Sequence, residues 1–213
     1  MNLILIGPPG AGKGTQAQNL VQNYSYIQIS TGDLLRNEIK LNSEVGKKII
    51  NKMENGEFVD DDIVNSLILK NISNEKNKNK IVFDGYPRNI SQAKKLNQII
   101  LNNNQTIGAI IYLDVSRDII KKRILGRITC EKCNITLNEY LDVEQIQNHK
   151  CGREFLKKRK DDISDTILKR YDAFIKETNP LLKFYSDNPS FFKVDASAKI
   201  QQIKAKIEEI ANV

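Results

Sequence analysis

Short apolar runs alternate with longer amphipathic stretches along the whole chain. Leu3 to Ile6 is the first run. It ends in a glycine-rich turn and is followed by a polar–apolar segment reaching about Gln22, which predicts strand, loop and helix in succession. A second strand, Tyr26 to Ile29, leads into Ser30-Thr31-Gly32-Asp33, whose hydroxyl and carboxylate groups suit a helix N-cap. Residues 43–54 read as a helix opened by Ser43 and closed near Gly56, and Asp60 to Asp62 set negative charge at the next helix start. The polar stretch 71–80 reads as a solvated loop. Beyond it, Ile81 to Asp84 is a compact strand and a helix begins near Ser91. Ala109 to Leu113 is a further buried strand, and Ser116 caps a basic helix running to about Gly126. A long helix starts near Ser164, and strand Phe191–Val194 precedes a C-terminal helix. Strands alternating with helices from end to end predict an α/β fold, a parallel sheet wrapped on both faces. Residues 127–162 break the pattern: they hold all three cysteines and the only histidine, with no long helical period, and read as an insertion between core elements.

Composition narrows the class. With 213 residues, 40% of them hydrophobic, the chain has ample material for a core. No apolar run approaches the roughly 18–20 residues of a membrane span. The start MNLILIGPPG lacks the basic region and cleavage site of a secretory signal. The expectation is therefore a cytoplasmic protein whose three cysteines form no disulfide framework. The balance of 33 basic against 26 acidic residues gives +7, which suggests an anionic partner without naming one. Only eight of the basic residues are arginines, which marks those eight as candidates for sites needing a planar, bidentate guanidinium.

The glycine-rich turn, Gly7-Pro8-Pro9-Gly10-Ala11-Gly12-Lys13-Gly14-Thr15, matches G-x-x-x-x-G-K between a strand and a helix. Its glycines let successive N–H groups face phosphate oxygens, the helix adds its positive N-terminus, and Lys13 reaches the outer phosphates. Gly14 separates Lys13 from the first hydroxyl, Thr15, which shifts that hydroxyl from the place where the strict motif uses it on Mg²⁺. Asp84, at a strand's end, is the candidate carboxylate for the metal–water shell.

Five segments then occur in one order: GPPGAGKGTQA at the start, ISTGDLLR at 29–36, DGYPR at 84–88, RILGR at 123–127 and RKDD at 159–162. In residues and spacing the chain resembles the adenylate kinases, in the long-lid form typical of bacteria, over essentially its whole length. The family also carries the Gly-Lys-Gly-Thr form of the loop. The resemblance implies a P-loop kinase fold with a central parallel five-stranded sheet flanked by helices. It implies a core of residues 1–29, 60–125 and 163–213, a nucleoside-monophosphate segment at 30–59 and a lid at 126–162, the last two closing over AMP and ATP. It further implies reversible transfer of the terminal phosphoryl group of Mg-ATP to AMP, giving two ADP. Gly10, Ala11, Gly12, Lys13, Gly14 and Thr15 would then hold ATP phosphates. Arg123 and Arg127 would clamp ATP, and Thr136, Leu137 and Ala198 would line its site. Thr31, Arg36, Gly85, Arg88 and Gln92 would bind AMP together with Glu57, Phe58 and Val59. Arg159 and Arg170 would lie between the nucleotides, Asp84 would orient the metal, and Asp161 and Asp162 would hold the lid arginines. The catalytic set implied is Lys13, Asp84, Arg88, Arg123, Arg159 and Arg170. Six of the eight arginines fall on these positions; Arg117 and Arg153 do not. A cage of such donors suits phosphoryl transfer, which proceeds by alignment and electrostatic stabilisation and needs no side-chain nucleophile.

Family lids of this form often hold zinc on C-x-x-C pairs. Here Cys130 and Cys133 supply the first pair and Cys151 resembles the last ligand, while Asn148 stands where the third is usual. His149 beside it completes a candidate set of Cys130, Cys133, His149 and Cys151 for a structural Zn²⁺, with Glu154 as the alternative fourth ligand. The lid also has Asn134 for the usual glycine and Leu137 for an aromatic, with Tyr140 a possible substitute. Two other readings stand beside the kinase of AMP. A kinase for UMP or CMP is disfavoured by the long lid. A basic, zinc-ribbon nucleic-acid binder is disfavoured because 127–162 carries no stacking stripe of aromatic and basic residues. The expected partners are thus ATP, AMP and ADP, with no nucleic acid, no membrane, and a monomeric state.

Overall fold

The computed structural model describes residues 1–72, 79–159, 162 and 164–213, with the backbone alone at 164 and 165. Five parallel strands form the centre. These are β1 (Asn2–Ile6), β2 (Ile27–Ser30), β3 (Ile81–Asp84), β4 (Ile107–Asp114) and, last in the chain, β8 (Phe191–Asp195), in the order β2-β3-β1-β4-β8. The apolar runs are continuous because both faces of the sheet are covered, yet successive residues still part to opposite sides. Ile4, Ile6, Phe83 and Ile110 pack into one core, while Leu3, Leu5, Val82 and Ile111 pack into the other. Asn2 is the buried polar exception at the sheet's start. Its side chain donates to Gln105 Oε1 at 2.9 Å and accepts from the Ile81 amide at 3.0 Å, so it strands no polar atom.

Helix α1 (Lys13–Tyr24) follows the first turn. Helices α2 (Thr31–Lys40) and α3 (Glu44–Glu54) are each opened by a serine whose hydroxyl accepts a backbone N–H: Ser30 from Asp33 and Ser43 from Gly46. Gly46 lets these helices touch, since a Cβ there would lie 2.2 Å from the Glu38 carbonyl oxygen. Helix α4 (Asp61–Ile72) starts one residue into the acidic run, α5 spans Ile90–Asn102 and α6 Arg117–Leu125. Ser116 does precede α6, but its side chain makes no capping bond, contrary to the sequence expectation. Asn71 likewise belongs to α4 rather than to a loop, and residues 73–78 of the predicted solvated stretch lie outside the described residues.

After α6 comes a separate antiparallel sheet of β5 (Arg127–Cys130), β6 (Thr136–Asn138) and β7 (Leu156–Lys157), with β5 in the middle and the short helix α7 (Val143–Gln147) beside it. The chain then returns through α8 (Ser164–Ala173), a single π turn (Phe174–Thr178) and α9 (Asn179–Tyr185), and ends in α10 (Ile200–Ala211). Strand β1 has β3 on one side and β4 on the other, and Leu5 pairs with Asp84. The carboxyl ends of β1 and β3 therefore open side by side where the strand order reverses, the place where open α/β sheets bind ligands.

Candidate active site

Lys13 is placed by the loop it ends. Gly10 and Gly12 have φ of +82° and +96°, which side-chain-bearing residues rarely adopt, and a Cβ on Gly10 would lie 2.8 Å from Ile124 Cγ1 of α6. The loop can thus curl only with glycine there. Lys13 Nζ donates to the Gly7 carbonyl at 2.7 Å and the Pro8 carbonyl at 3.0 Å. Burial pushes its ammonium down to about 8, against the pull of Asp84, with Arg88, Arg170 and Arg127 adding repulsion. A lysine that must be protonated to meet phosphate then loses its proton just above neutrality. ATP affinity is expected to weaken about tenfold between pH 7 and pH 9, as the protonated fraction falls to about a tenth. Titration calorimetry at the two pH values checks this, and equal affinities would contradict it.

Asp84 faces the loop from β3. Its Oδ2 accepts from Gln28 Nε2 at 2.8 Å, and Gln28 Oε1 in turn accepts from Gln18 Nε2 at 2.7 Å. Past Asp84, Gly85 turns the chain with φ of +73°, followed by a cis bond between Tyr86 and Pro87. Arg88 is fixed by this turn. Its Nε donates to the Gly85 carbonyl at 2.9 Å and its Nη2 to Thr31 Oγ1 at 3.1 Å, and its guanidinium lies over the Phe58 ring at 4.9 Å. Burial, then the charge of Arg170, brings Arg88 down to about 10, and Arg159 is lowered to about 10 by burial and then by Arg36 and Arg127. Cations crowded at some cost to their own protonation mark a cavity built for a multiply charged anion.

Two carboxylates hold four of the five remaining arginines. Asp33, read from sequence as a capping residue, accepts from Arg36 Nη2 at 2.5 Å and lies 3.8 Å from Arg159 Nη2. Asp162 takes Arg127 by both its Nε, at 2.7 Å, and its Nη2, and lies 3.5 Å from Arg170 Nη1. Asp161 lies outside the described residues. Burial holds the Arg123 guanidinium below its ordinary range, with Asp195 opposing.

These groups converge on one cleft of about 330 Å³. Gly10 through Thr15, Asp84, Gly85, Arg88, Arg123, Arg127, Thr136, Leu137, Arg159 and Arg170 line it, as do Arg36, Glu57 and Phe58. Four expected residues do not: Thr31, Val59 and Gln92 are buried behind the wall, and Ala198 yields its place to Ile200 and Ile203. Tyr140 is 66% exposed and does not line the cleft, so it does not replace the missing aromatic. Sequence reasoning missed Gln18, Gln28, Met53, Phe174 and Thr178, all of which line it.

In the inserted sheet, ligand atoms of Cys130, Cys133, His149 and Cys151 lie within 4.8 Å of one another, and Cys133 Sγ is 3.7 Å from His149 Nε2. Donors around a tetrahedral Zn²⁺ at about 2.0–2.3 Å sit about 3.5–3.8 Å apart, so the set is near that spacing. Glu154 is not among the four. Although burial opposes it, hydrogen bonds from the Cys133 backbone and His149 bring the Cys130 thiol down to about 6. Hydrogen bonding with Cys133, then burial, pushes Cys151 up to about 11. Three thiols and an imidazole in such proximity fit a borderline-soft divalent cation.

Comparison with known proteins gives a single answer. The family model described as "Adenylate kinase" matches residues 5–190. An adenylate kinase of Pelagibacter ubique is 54% identical over 213 residues, covering 100% of both chains. One from Allorhizobium ampelinum is 37% identical over 99% of this chain and 98% of its own, and one from Listeria monocytogenes is 36% identical over the same shares.

Proposed function

This chain belongs to the adenylate kinase family, and from that premise and the cleft's chemistry we propose how it moves the terminal phosphoryl group of Mg-ATP to AMP, yielding two ADP. Carrying the proposal is the convergence of Lys13, Asp84 and five arginines, 88, 123, 127, 159 and 170, on one cleft at the carboxyl ends of β1 and β3.

ATP phosphates lie in the curled amides from Gly10 to Thr15 with Lys13 released from the Gly7 and Pro8 carbonyls onto them. Arg123 and Arg127 grip the same nucleotide, with Thr136, Leu137 and the stretch near Ala198 toward its base. AMP lies on the other side, its phosphate between Arg36 and Arg88, with Thr31, Gly85, Gln92 and residues 57–59 around it. Arg159 and Arg170 face both nucleotides. Mg²⁺ arrives with ATP and neutralises charge on its phosphates, and Asp84, steadied by Gln28, would hold its water shell. The acceptor's phosphate oxygen attacks the γ-phosphorus as the bond to the β–γ bridging oxygen breaks. No side chain bonds to the phosphoryl group. The arginines offer planar donors where charge spreads in the transition state. Water has to be kept out while the group is loose, which is the work of segment 30–59 and the lid 126–162 closing on the core 1–29, 60–125 and 163–213. Stoichiometry tests the reaction: two ADP for each ATP and AMP consumed, against ADP and phosphate if water were the acceptor.

The lid's Cys130, Cys133, His149 and Cys151 would bind Zn²⁺ with no open position, stapling a three-stranded sheet too small to own a core. His149→Ala is expected to lower zinc content and melting temperature together, while Glu154→Ala leaves both unchanged. Full zinc retention in His149→Ala would transfer the fourth ligand to Glu154. Among the described residues no helix is long and apolar enough to cross a membrane. The reading is completed by a cytoplasmic monomer that acts on nucleotides and not on nucleic acid.

A further inference from the structure

Arg123 and Arg127 stand on either side of Gly126, where α6 gives way to β5. Asn138 crosses this joint twice. Its main chain pairs with Arg127 on the sheet side, and the Glu139 N–H that follows donates to the Gly126 carbonyl at 2.7 Å. Its side chain reaches back to the helix, where Nδ2 donates to the Arg123 carbonyl at 3.1 Å. That carbonyl is one of the last four of α6, which a helix leaves without a partner of its own. The amide cannot turn over. Its Oδ1 accepts from the Tyr140 N–H at 3.0 Å, and a carbonyl accepts only while a backbone N–H donates only. Asp142 Oδ2 holds the same residue by accepting the Asn138 N–H at 2.7 Å. Gly126 leaves the room this requires: a Cβ there would lie 2.7 Å from Asn138 Oδ1, 2.9 Å from its Nδ2 and 2.6 Å from Tyr140 Cδ2. The backbone at Gly126, with φ of −89°, suits any residue, so space and not conformation calls for glycine.

Asn138, Arg123 and Arg127 all line the cleft. Two guanidiniums that grip one nucleotide need a set separation, and these two spring from different elements, a helix and a strand, joined by one glycine. Glycine is the residue least able to hold such a spacing by itself, and a hydrogen bond across the joint supplies the constraint. We propose that Asn138 is a positioning residue for ATP: by tying the Arg123 carbonyl to the strand pair that carries Arg127, it sets the two arginines at the separation the nucleotide requires. The inference rests on the reading of Arg123 and Arg127 as the clamp on ATP. It gives Asn138 no contact with the reacting atoms.

The test measures Mg-ATP binding by titration calorimetry with no acceptor present. Asn138→Ser keeps a hydroxyl able to accept from the Tyr140 N–H but too short for the Arg123 carbonyl, and it adds no charge to the cleft. Its dissociation constant for Mg-ATP is expected to rise about tenfold, while KM for AMP at saturating Mg-ATP stays within about twofold of wild type. Gly126→Ala leaves residue 138 in place and crowds its amide off the carbonyl. It is expected to do the same, and it serves should the serine variant fold poorly. In an Arg123→Ala background, Asn138→Ser is expected to cost less than about twofold, because the group it positions is gone. Glu139→Gln breaks the 2.8 Å pair with Lys158 beside the same end of β6 and controls for a sheet that is merely loosened. Its Mg-ATP affinity is expected to stay within about twofold of wild type. Unchanged Mg-ATP affinity in both Asn138→Ser and Gly126→Ala overturns the proposal, as does an equal rise in KM for AMP. So does an undiminished loss in the Arg123→Ala background, or the same loss in Glu139→Gln. Wild type with no measurable affinity for Mg-ATP would instead overturn the reading of the cleft.

Discussion

Arg88→Lys is expected to lower kcat/KM for phosphoryl transfer to AMP by about 10²–10³-fold, although the charge is kept. Arg88 uses its fork twice over. Nε reaches the Gly85 carbonyl and Nη2 reaches Thr31 Oγ1, while the face of the plane rests on Phe58. Those bonds aim the guanidinium's remaining donors into the cleft. A lysine ammonium is a point charge on a flexible stem, so it cannot keep the anchoring contacts and present two parallel donors to a phosphate at once. Losing one or two charge-assisted hydrogen bonds at about 1.5–3 kcal/mol each gives the stated range. Steady-state kinetics of the variant checks it, and kcat/KM within threefold of wild type would remove Arg88 from the transition state.

Asp162→Asn is expected to damage stability and turnover together. Its carboxylate is 2% exposed and faces two guanidiniums, with Arg127 13% exposed and doubly bonded to it. Removing one partner of a buried ion pair typically costs about 3–5 kcal/mol, because the surviving charge stays buried without a counter-ion. At about 2–4 °C for each kcal/mol in a chain of this size, the melting temperature falls by roughly 10 °C. Turnover falls by about 10²-fold, with kcat affected more than KM, since Arg127 and Arg170 keep their charge and lose their direction. Calorimetry and single-turnover kinetics read the two effects separately. A variant with native melting temperature would mean that the pair is solvated, and one with native kcat would mean that the arginines are aimed by other groups.

Much of this arrangement is legible in the sequence. Ile81 to Asp84 is a strand to the residue, because four apolar-to-carboxylate positions sit between polar stretches with no competing period. The phosphate loop was equally plain, since glycines at two positive-φ positions leave their mark in the sequence. Arginine scarcity picked out the cleft's cations. Contacts between distant segments were not legible. Gln28 looks like an ordinary polar residue of β2 until the fold sets that strand against β3, where its amide meets Asp84 from 56 positions away. Asp61 looks like a helix-start carboxylate until α4 and α5 bring Gln92 to it. Gly46 shows no motif, yet a Cβ there would press on the Glu38 carbonyl where α2 and α3 meet. The π turn at Phe174–Thr178, between α8 and α9, is a local widening of the helix that apolar periodicity does not encode. In the inserted sheet, strands of two to four residues carry too little alternation to predict pairing, and only the cysteines signal order.

Passing a phosphoryl group from Mg-ATP to AMP is the reaction on which every residue role above depends. The most direct test supplies Mg-ATP with equal concentrations of AMP, dAMP, GMP, UMP and CMP in turn and measures the diphosphates formed. Strong preference for AMP is expected, with ADP appearing at twice the rate at which AMP disappears. Preference for a pyrimidine monophosphate, or no transfer to any of the five, would contradict it.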